Sequence, residues 1–231
     1  MNSPIILALD TRDPKEAAKW IKACAAQIDH FKIGLEYFLE NGKASILDLQ
    51  KEFDFKLFLD LKLYDIPNTV KGAVESVSEL NPKFLTVHAA GGAEMIKSAA
   101  SVLPGGSITA VTVLTSFSDT EFMHLGYTKN ISETARIWAS QAIAAGATSL
   151  VCSPFEAALM KQIAPTATII TPGVRLAGEK LNDQSRVMTP KQALENGADY
   201  VVIGRSVTSE AANGVGAMQN KIAQILESIN P

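Results

Sequence analysis

Cysteine is nearly absent: Cys24 and Cys152 are the only two in 231 residues, with no CxxC and no Cys/His cluster. That excludes a disulfide scaffold and a thiolate metal site, and both side chains are expected as free thiols in a reducing compartment. No hydrophobic run approaches the ~18 residues of a membrane span. Met1-Asn2-Ser3-Pro4 leads into a strand-like run without a basic region and a long apolar stretch. No signal peptide is therefore expected, and the expected location is cytoplasmic. Neither sign of charge dominates. A net charge of −3 and a pI near 5.7 leave no basic stripe for nucleic acid. A phosphate-bearing partner would have to be held locally. Low-complexity segments are missing too. Apolar residues are plentiful, 47% against 19% charged, enough for a sizeable core.

The apolar residues fall into runs of strand length, each followed by a segment of helical periodicity. The runs are Ile5–Asp10, Phe31–Gly34, Lys56–Lys62, Phe84–His88, Ile108–Thr115, Ser149–Ser153, Thr168–Thr171 and Tyr200–Gly204. The helical stretches are Pro14–Ile28, Ala44–Glu52, Asn68–Leu80, Gly92–Leu103, Ser132–Ala145, Pro154–Ile163, Thr189–Asn196 and Gly216–Ile229. Asp13-Pro14 and Ser153-Pro154 read as helix starts, Gly146 and Gly197 as stops. Trp20, Trp138 and Phe155 sit at core-like helical spacing and read as packing residues. Alternation of this kind implies parallel strands with crossover helices. Eight such units, without a linker or composition break, predict one (β/α)8 (TIM) barrel domain over residues 1–231; an open doubly wound sheet is the runner-up.

Within this frame, residues 60–69 (Asp-Leu-Lys-Leu-Tyr-Asp-Ile-Pro-Asn-Thr) stand out. Phe55, Leu57, Leu59, Leu61 and Leu63 would cover one face of the third strand, leaving Phe58, Asp60 and Lys62 on the other. Buried charge is costly unless paired, so an inward Asp and Lys need a reason. A structural ion pair is the bland one. Their place at the strand's C-terminal end, where parallel α/β folds carry their chemistry, favours an active site. Asp65 follows beyond the strand, before Ile66-Pro67 turns the chain outward. Asp10, Lys32, His88 and Thr115 are read at the ends of other strands, although His88 alone fits a hydrogen-bonded core histidine equally well. After the eighth strand, Gly204-Arg205 offers close backbone approach and a guanidinium to a phosphate. Arg175 and Gln184 lie on the long segment 172–188, which reads as a lid or as a solvated loop. Residues 116–131 form a second long loop on the same side.

The stretch Asp60-Leu-Lys62-Leu-Tyr-Asp65-Ile-Pro-Asn-Thr69 closely resembles the active-site motif of the orotidine 5′-phosphate decarboxylase family, in its bacterial single-function form. The resemblance covers almost the whole chain. It includes Ala8-Leu9-Asp10, Phe31-Lys32-Ile33-Gly34, Val87-His88-Ala89, Val111–Ser116, Thr171–Arg175, Asp183–Arg186 and Val202–Arg205. The Asp-x-Lys-x-x-Asp core is shared with related sugar-phosphate barrels; the Ile-Pro-Asn-Thr continuation is more specific. The resemblance implies decarboxylation of orotidine 5′-phosphate to UMP without cofactor or metal, by a homodimer with shared sites. It implies Lys62 as proton donor, with Asp60 and Asp65 as its catalytic partners. The implied substrate contacts are Asp10, Lys32, Asp60, Lys62, Asp65, Ile66, Thr69, Thr115, Arg175, Gln184, Gly204 and Arg205. Asp65 and Thr69 would come from the neighbouring subunit, completing a row Lys32–Asp60–Lys62–Asp65. Two alternatives differ in class. A metal-dependent sugar-phosphate decarboxylase or synthase would want an acidic ligand where this chain has Lys32. A non-catalytic nucleotide-binding barrel would have little use for a buried charge row.

Overall fold

The structure, a computed structural model, describes residues 3–176 and 188–229. Eight parallel strands close into a barrel in sequence order, β1 pairing with β8. They are β1 (Ile5–Ala8), β2 (His30–Gly34), β3 (Lys56–Leu63), β4 (Phe84–His88), β5 (Ser107–Val111), β6 (Ser149–Val151), β7 (Thr168–Thr171) and β8 (Tyr200–Ile203). The closed barrel, and not the open sheet, is the architecture. Ten α-helices surround it among the described residues. They are α1 (Pro14–Cys24), α2 (Leu35–Glu52), α3 (Pro67–Val77), α4 (Gly92–Ala100), α5 (Asp119–His124), α6 (Ile131–Ala144), α7 (Ala157–Ile163), α8 (Pro190–Glu195), α9 (Arg205–Thr208) and α10 (Val215–Ile229). Among the described residues, no helix is long and apolar enough to cross a membrane.

Strand alternation divides the core in two. Ile5, Leu7 and Leu9, with Leu57, Leu59 and Leu61, face outward into one large cluster shared with the helices. Ile6, Phe58, Phe84 and Ile170 face inward and plug the barrel, with Val151, Tyr200 and Val202 against them. Because side chains recur every second residue, each inward plug residue has a successor one layer nearer the C-terminal rim. Phe58 is followed by Asp60, Phe84 by Thr86 and His30 by Lys32. A greasy floor and a charged rim thus follow from the same alternation. Asp13 caps α1, its side chain accepting from the Lys15 backbone N–H at 2.9 Å, and Gly146 and Gly197 adopt the left-handed turns that stop α6 and α8.

Several expectations need correction. The fifth strand stops at Val111, not Thr115: the Thr112 backbone and hydroxyl both bond the Val151 carbonyl, and β6 ends there. The first strand stops at Ala8, leaving Asp10 two residues beyond. Phe155 is not a helical packing residue. It is 49% exposed in the turn before α7, where the buried Glu156 carboxylate accepts the Ser153 N–H and delays the helix to Ala157. The second helix starts at Leu35, being two helical pieces joined at Gly42, whose φ of +67° forms the kink. Segment 116–131 holds α5, opened by a Ser118/Glu121 capping box, and α9 follows β8 after Gly204. Cys24 and Cys152 are free, as expected, and buried; desolvation pushes the Cys24 thiol up to about 12.

Candidate active site

At the C-terminal rim, β1, β2 and β3 bring four charges into a line. Lys32 Nζ lies 3.0 Å from Asp10 Oδ1 and 3.5 Å from Asp60 Oδ2. Lys62 Nζ donates to both oxygens of Asp60 at 2.9 Å. The Thr86 hydroxyl donates to Asp60 Oδ1 at 3.0 Å. Gly34, in register with Asp60, keeps this line open: a Cβ there would stand 3.2 Å from Lys32 Nζ. The row within one chain therefore runs Asp10–Lys32–Asp60–Lys62. The Asp60 side chain is 11% exposed and that of Lys62 33%, so the lysine reaches toward the open end.

Burial pushes the Asp60 pKa up, but Lys32 and Lys62 outweigh it, with help from Thr86, and its pKa falls. Desolvation likewise works against charge on Lys32, yet Asp60 and Asp10 raise its pKa. The signs set a pH window. Asp60's contribution to stability is present above its unfolded pKa of about 3.9 and is lost as pH falls through the folded value. That of Lys32 is present below about 10.4 and is lost as pH rises through its folded value. Between these limits both groups stay charged. His88 at the end of β4 is driven toward neutrality by burial, then by Lys62.

Lys62 itself is unusual. Leu59 pairs with Leu85 and Leu63 with Val87, so β3 uses four residues where β4 uses two. Lys62 sits in this bulge at φ +49°, a conformation that costs an ordinary side chain about 1–2 kcal/mol. The pairing register breaks here, yet Leu61 and Leu63 stay with the outward cluster and Lys62 stays with Asp60, as the alternation predicts. The bulge aims its side chain, and the backbone N–H is taken by the Thr86 hydroxyl at 2.8 Å.

A cavity opens beside the row, lined by Lys32, Asp60 and Lys62 together with the apolar Phe58, Val151, Pro172 and Val202. Apolar side chains beside fixed charges suit a flat ring with an ionic substituent. Wider clefts lie elsewhere, beside Phe155 and between α1 and α9, but the charged residues of the latter, Asp13, Lys15, Glu16 and Lys19, are exposed.

The remaining expected site residues are placed as follows. Gly204 packs against the first strand, where a Cβ would stand 3.7 Å from Asp10 Oδ2, and Arg205 opens α9 on the surface. Arg175 is buried, one guanidinium N–H donating to the Val174 carbonyl at 2.8 Å. Thr115 is half-buried in the loop after β5. Gln184 lies outside the described residues. Tyr64 to Thr69 are all exposed, and Asp65 is not in the row: its carboxylate accepts the Ile66 N–H at 2.6 Å. Thr86 was absent from the sequence-based set, although its place two residues after the plug residue Phe84 put it on the inward face.

The chain matches the family described as Orotidine 5'-phosphate decarboxylase / HUMPS over residues 3–220. It is similar to the orotidine 5'-phosphate decarboxylase of Thermobifida fusca, 46% identical over 218 residues that cover 94% of each chain. It is also similar to the one from Frankia casuarinae, 40% identical over 93% of this chain and 85% of that one. In three dimensions it superposes on the crystal structure of orotidine 5'-phosphate decarboxylase from Lactobacillus acidophilus. That match has a TM-score of 0.85 and 30% identity, with both chains fully covered. A match of this length, in a chain whose barrel rim gathers the Asp-x-Lys pair into a buried charge row, makes this protein a member of the orotidine 5'-phosphate decarboxylase / HUMPS family.

Proposed function

We propose that the protein converts orotidine 5′-phosphate to UMP and carbon dioxide, the last step of de novo pyrimidine nucleotide synthesis, without cofactor. The observation that carries this reading is the Lys62 ammonium, held 2.9 Å from both oxygens of buried Asp60 at the mouth of the cavity. Cleavage of the bond between ring C6 and its carboxylate leaves the electron pair on C6, which has no adjacent carbonyl to accept it. Lys62 places a cation beside that charge and then delivers a proton to C6; solvent reprotonates the amine. Stabilisation applied at that moment, and not to the bound substrate, accelerates the reaction. Asp60 fixes Lys62 and stands near the departing carboxylate. Asp10 and Lys32 hold ribose hydroxyls, and Thr115 reads the pyrimidine edge. Gly204 and Arg205 take the phosphate, with Arg175 and Gln184 as further phosphate contacts. Two buried free thiols support a reducing compartment, in keeping with a cytoplasmic enzyme.

The sugar-phosphate alternative needs oxygen ligands for a divalent cation. The cavity instead presents two ammonium groups, and the described residues contain no group of three His, Cys, Asp or Glu arranged for a metal. The deciding assay follows the absorbance change of orotidine 5′-phosphate with purified, EDTA-treated protein. Turnover is expected to be unchanged by the chelator. Loss of activity restored by Mg²⁺ would favour the metal-dependent reading.

Arg205→Ala is expected to raise KM about 100-fold or more, a transition-state loss of about 3 kcal/mol, the scale of hydrogen bonds to a charged group. Its position on the β8 side, away from Lys62, predicts weakened phosphate binding and not lost chemistry. An unchanged KM would place the phosphate elsewhere.

The active unit is a homodimer that shares its sites. Ile66 is 67% exposed and Tyr64 63%; Leu35 and Leu39, on the helix after the neighbouring strand, are 45% and 77% exposed. Their position at one rim fits a twofold interface that brings Asp65, Ile66 and Thr69 against the partner's Lys62 side.

A further inference from the structure

We propose that Thr86 is a positioning residue for the proton transfer: one buried hydroxyl fixes both the backbone of Lys62 and the carboxylate of Asp60. The proposal rests on the reading of Lys62 as proton donor. Thr86 stands on the inward face of β4, one layer above Phe84, and is fully buried. Its Oγ1 accepts the Lys62 N–H at 2.8 Å and donates to Asp60 Oδ1 at 3.0 Å. A hydroxyl has a single donor, and here that donor is aimed at the oxygen that also binds Lys62 Nζ at 2.9 Å. A closed triangle results, in which Lys62 is held at both ends, by its amide through Thr86 and by its ammonium through Asp60.

The bulge explains why such a device is needed. With four residues of β3 set against two of β4, the Lys62 amide has left the regular ladder. Thr86 supplies the acceptor in its place. Lys62 and Asn81 are the only described non-glycine residues at positive φ, and a left-handed lysine persists only where its surroundings over-determine it. Without the hydroxyl, the strand can relax toward regular pairing and swing the ammonium off its line to the reacting carbon. A displacement near 1 Å at a reacting group costs about 100-fold in rate.

The test compares Thr86→Val, which keeps shape and removes the hydroxyl, with Thr86→Ser, which keeps it. Thr86→Val should lower kcat about 10–100-fold with KM within about twofold of wild type, while Thr86→Ser recovers most of kcat. Exchange of the C6 hydrogen of UMP in D₂O reports the same proton transfer in reverse, and it should fall in parallel in Thr86→Val alone. Should Thr86→Val not fold, Thr86→Ala takes its place with the same expectation. A hydroxyl-free variant with wild-type kcat and exchange overturns the proposal. So does one whose defect lies in KM alone, or a Thr86→Ser as impaired as the hydroxyl-free variant. Lys62→Ala, measured alongside, separates the two ideas. If it keeps its turnover, the proton-donor reading fails; if it is dead while Thr86→Val is normal, only the role of Thr86 fails.

Discussion

Lys62→Ala is expected to abolish turnover, by about 10⁴-fold or more, because in the proposed mechanism the same ammonium is general acid and the cation beside C6. The fold should survive. Lys62 lies at the rim, above the plug of Ile6, Phe58, Phe84 and Ile170, and its side chain is one-third exposed. Asp60 would lose one partner but keep the Lys32 ammonium and the Thr86 hydroxyl, so it is not left as an isolated buried charge. A residual imbalance of about 1 kcal/mol would move the melting temperature by only about 2–4 °C in a chain of this size. Circular dichroism and a thermal melt, run beside the absorbance assay, separate loss of chemistry from loss of structure. A folded Lys62→Ala protein with near-normal turnover would remove Lys62 from the proton-donor role.

Much of this architecture was legible because its period is two. Leu57, Leu59 and Leu61 against Phe58 and Asp60 could only be a strand with an outward face and an inward one, and the structure packs them that way. Asp10, Lys32 and Asp60 were found for a related reason: charge at the C-terminal end of a buried strand has few structural uses. The illegible parts are those where local geometry overrides the period. Lys62 keeps its side of the strand, but no period shows that it sits in a bulge at positive φ, held by a residue 24 positions away. Thr115 looked like a strand end because residues 108–115 stay β-prone, yet the short β6 ends the pairing at Val111. Phe155 looked like a core aromatic, but the Ser153–Glu156 bond turns the chain before the helix begins. Inside the expected loop, Ser118-x-x-Glu121 is a capping-box helix start for α5. Thr86 carried no local signal beyond its parity with Phe84.

Mixing inactive Lys62→Ala protein with inactive Asp65→Ala protein is expected to restore activity, a result that two independent sites could not give. Within one chain, Asp65 lies outside the charge row and its carboxylate turns to the Ile66 N–H, in a run of six exposed residues from Tyr64 to Thr69. Pro67 opens α3 here, so the loop cannot continue the strand, and its residues stand exposed. A twofold interface is self-complementary, so each subunit that lends Asp65 also receives one. In a hybrid dimer, the site built on the Lys62→Ala barrel receives the altered Asp65 position and carries both lesions. The other site has an intact Lys62 and an intact Asp65. Random exchange makes about half the dimers hybrid, each with one working site, so recovery should approach about a quarter of wild-type activity. Exchange is verified separately, by differently tagged subunits co-purifying after mixing. No recovery in a mixture whose subunits have demonstrably exchanged would mean that Asp65 serves its own barrel. The loop after β3 would then have to fold back over Lys62 when substrate binds.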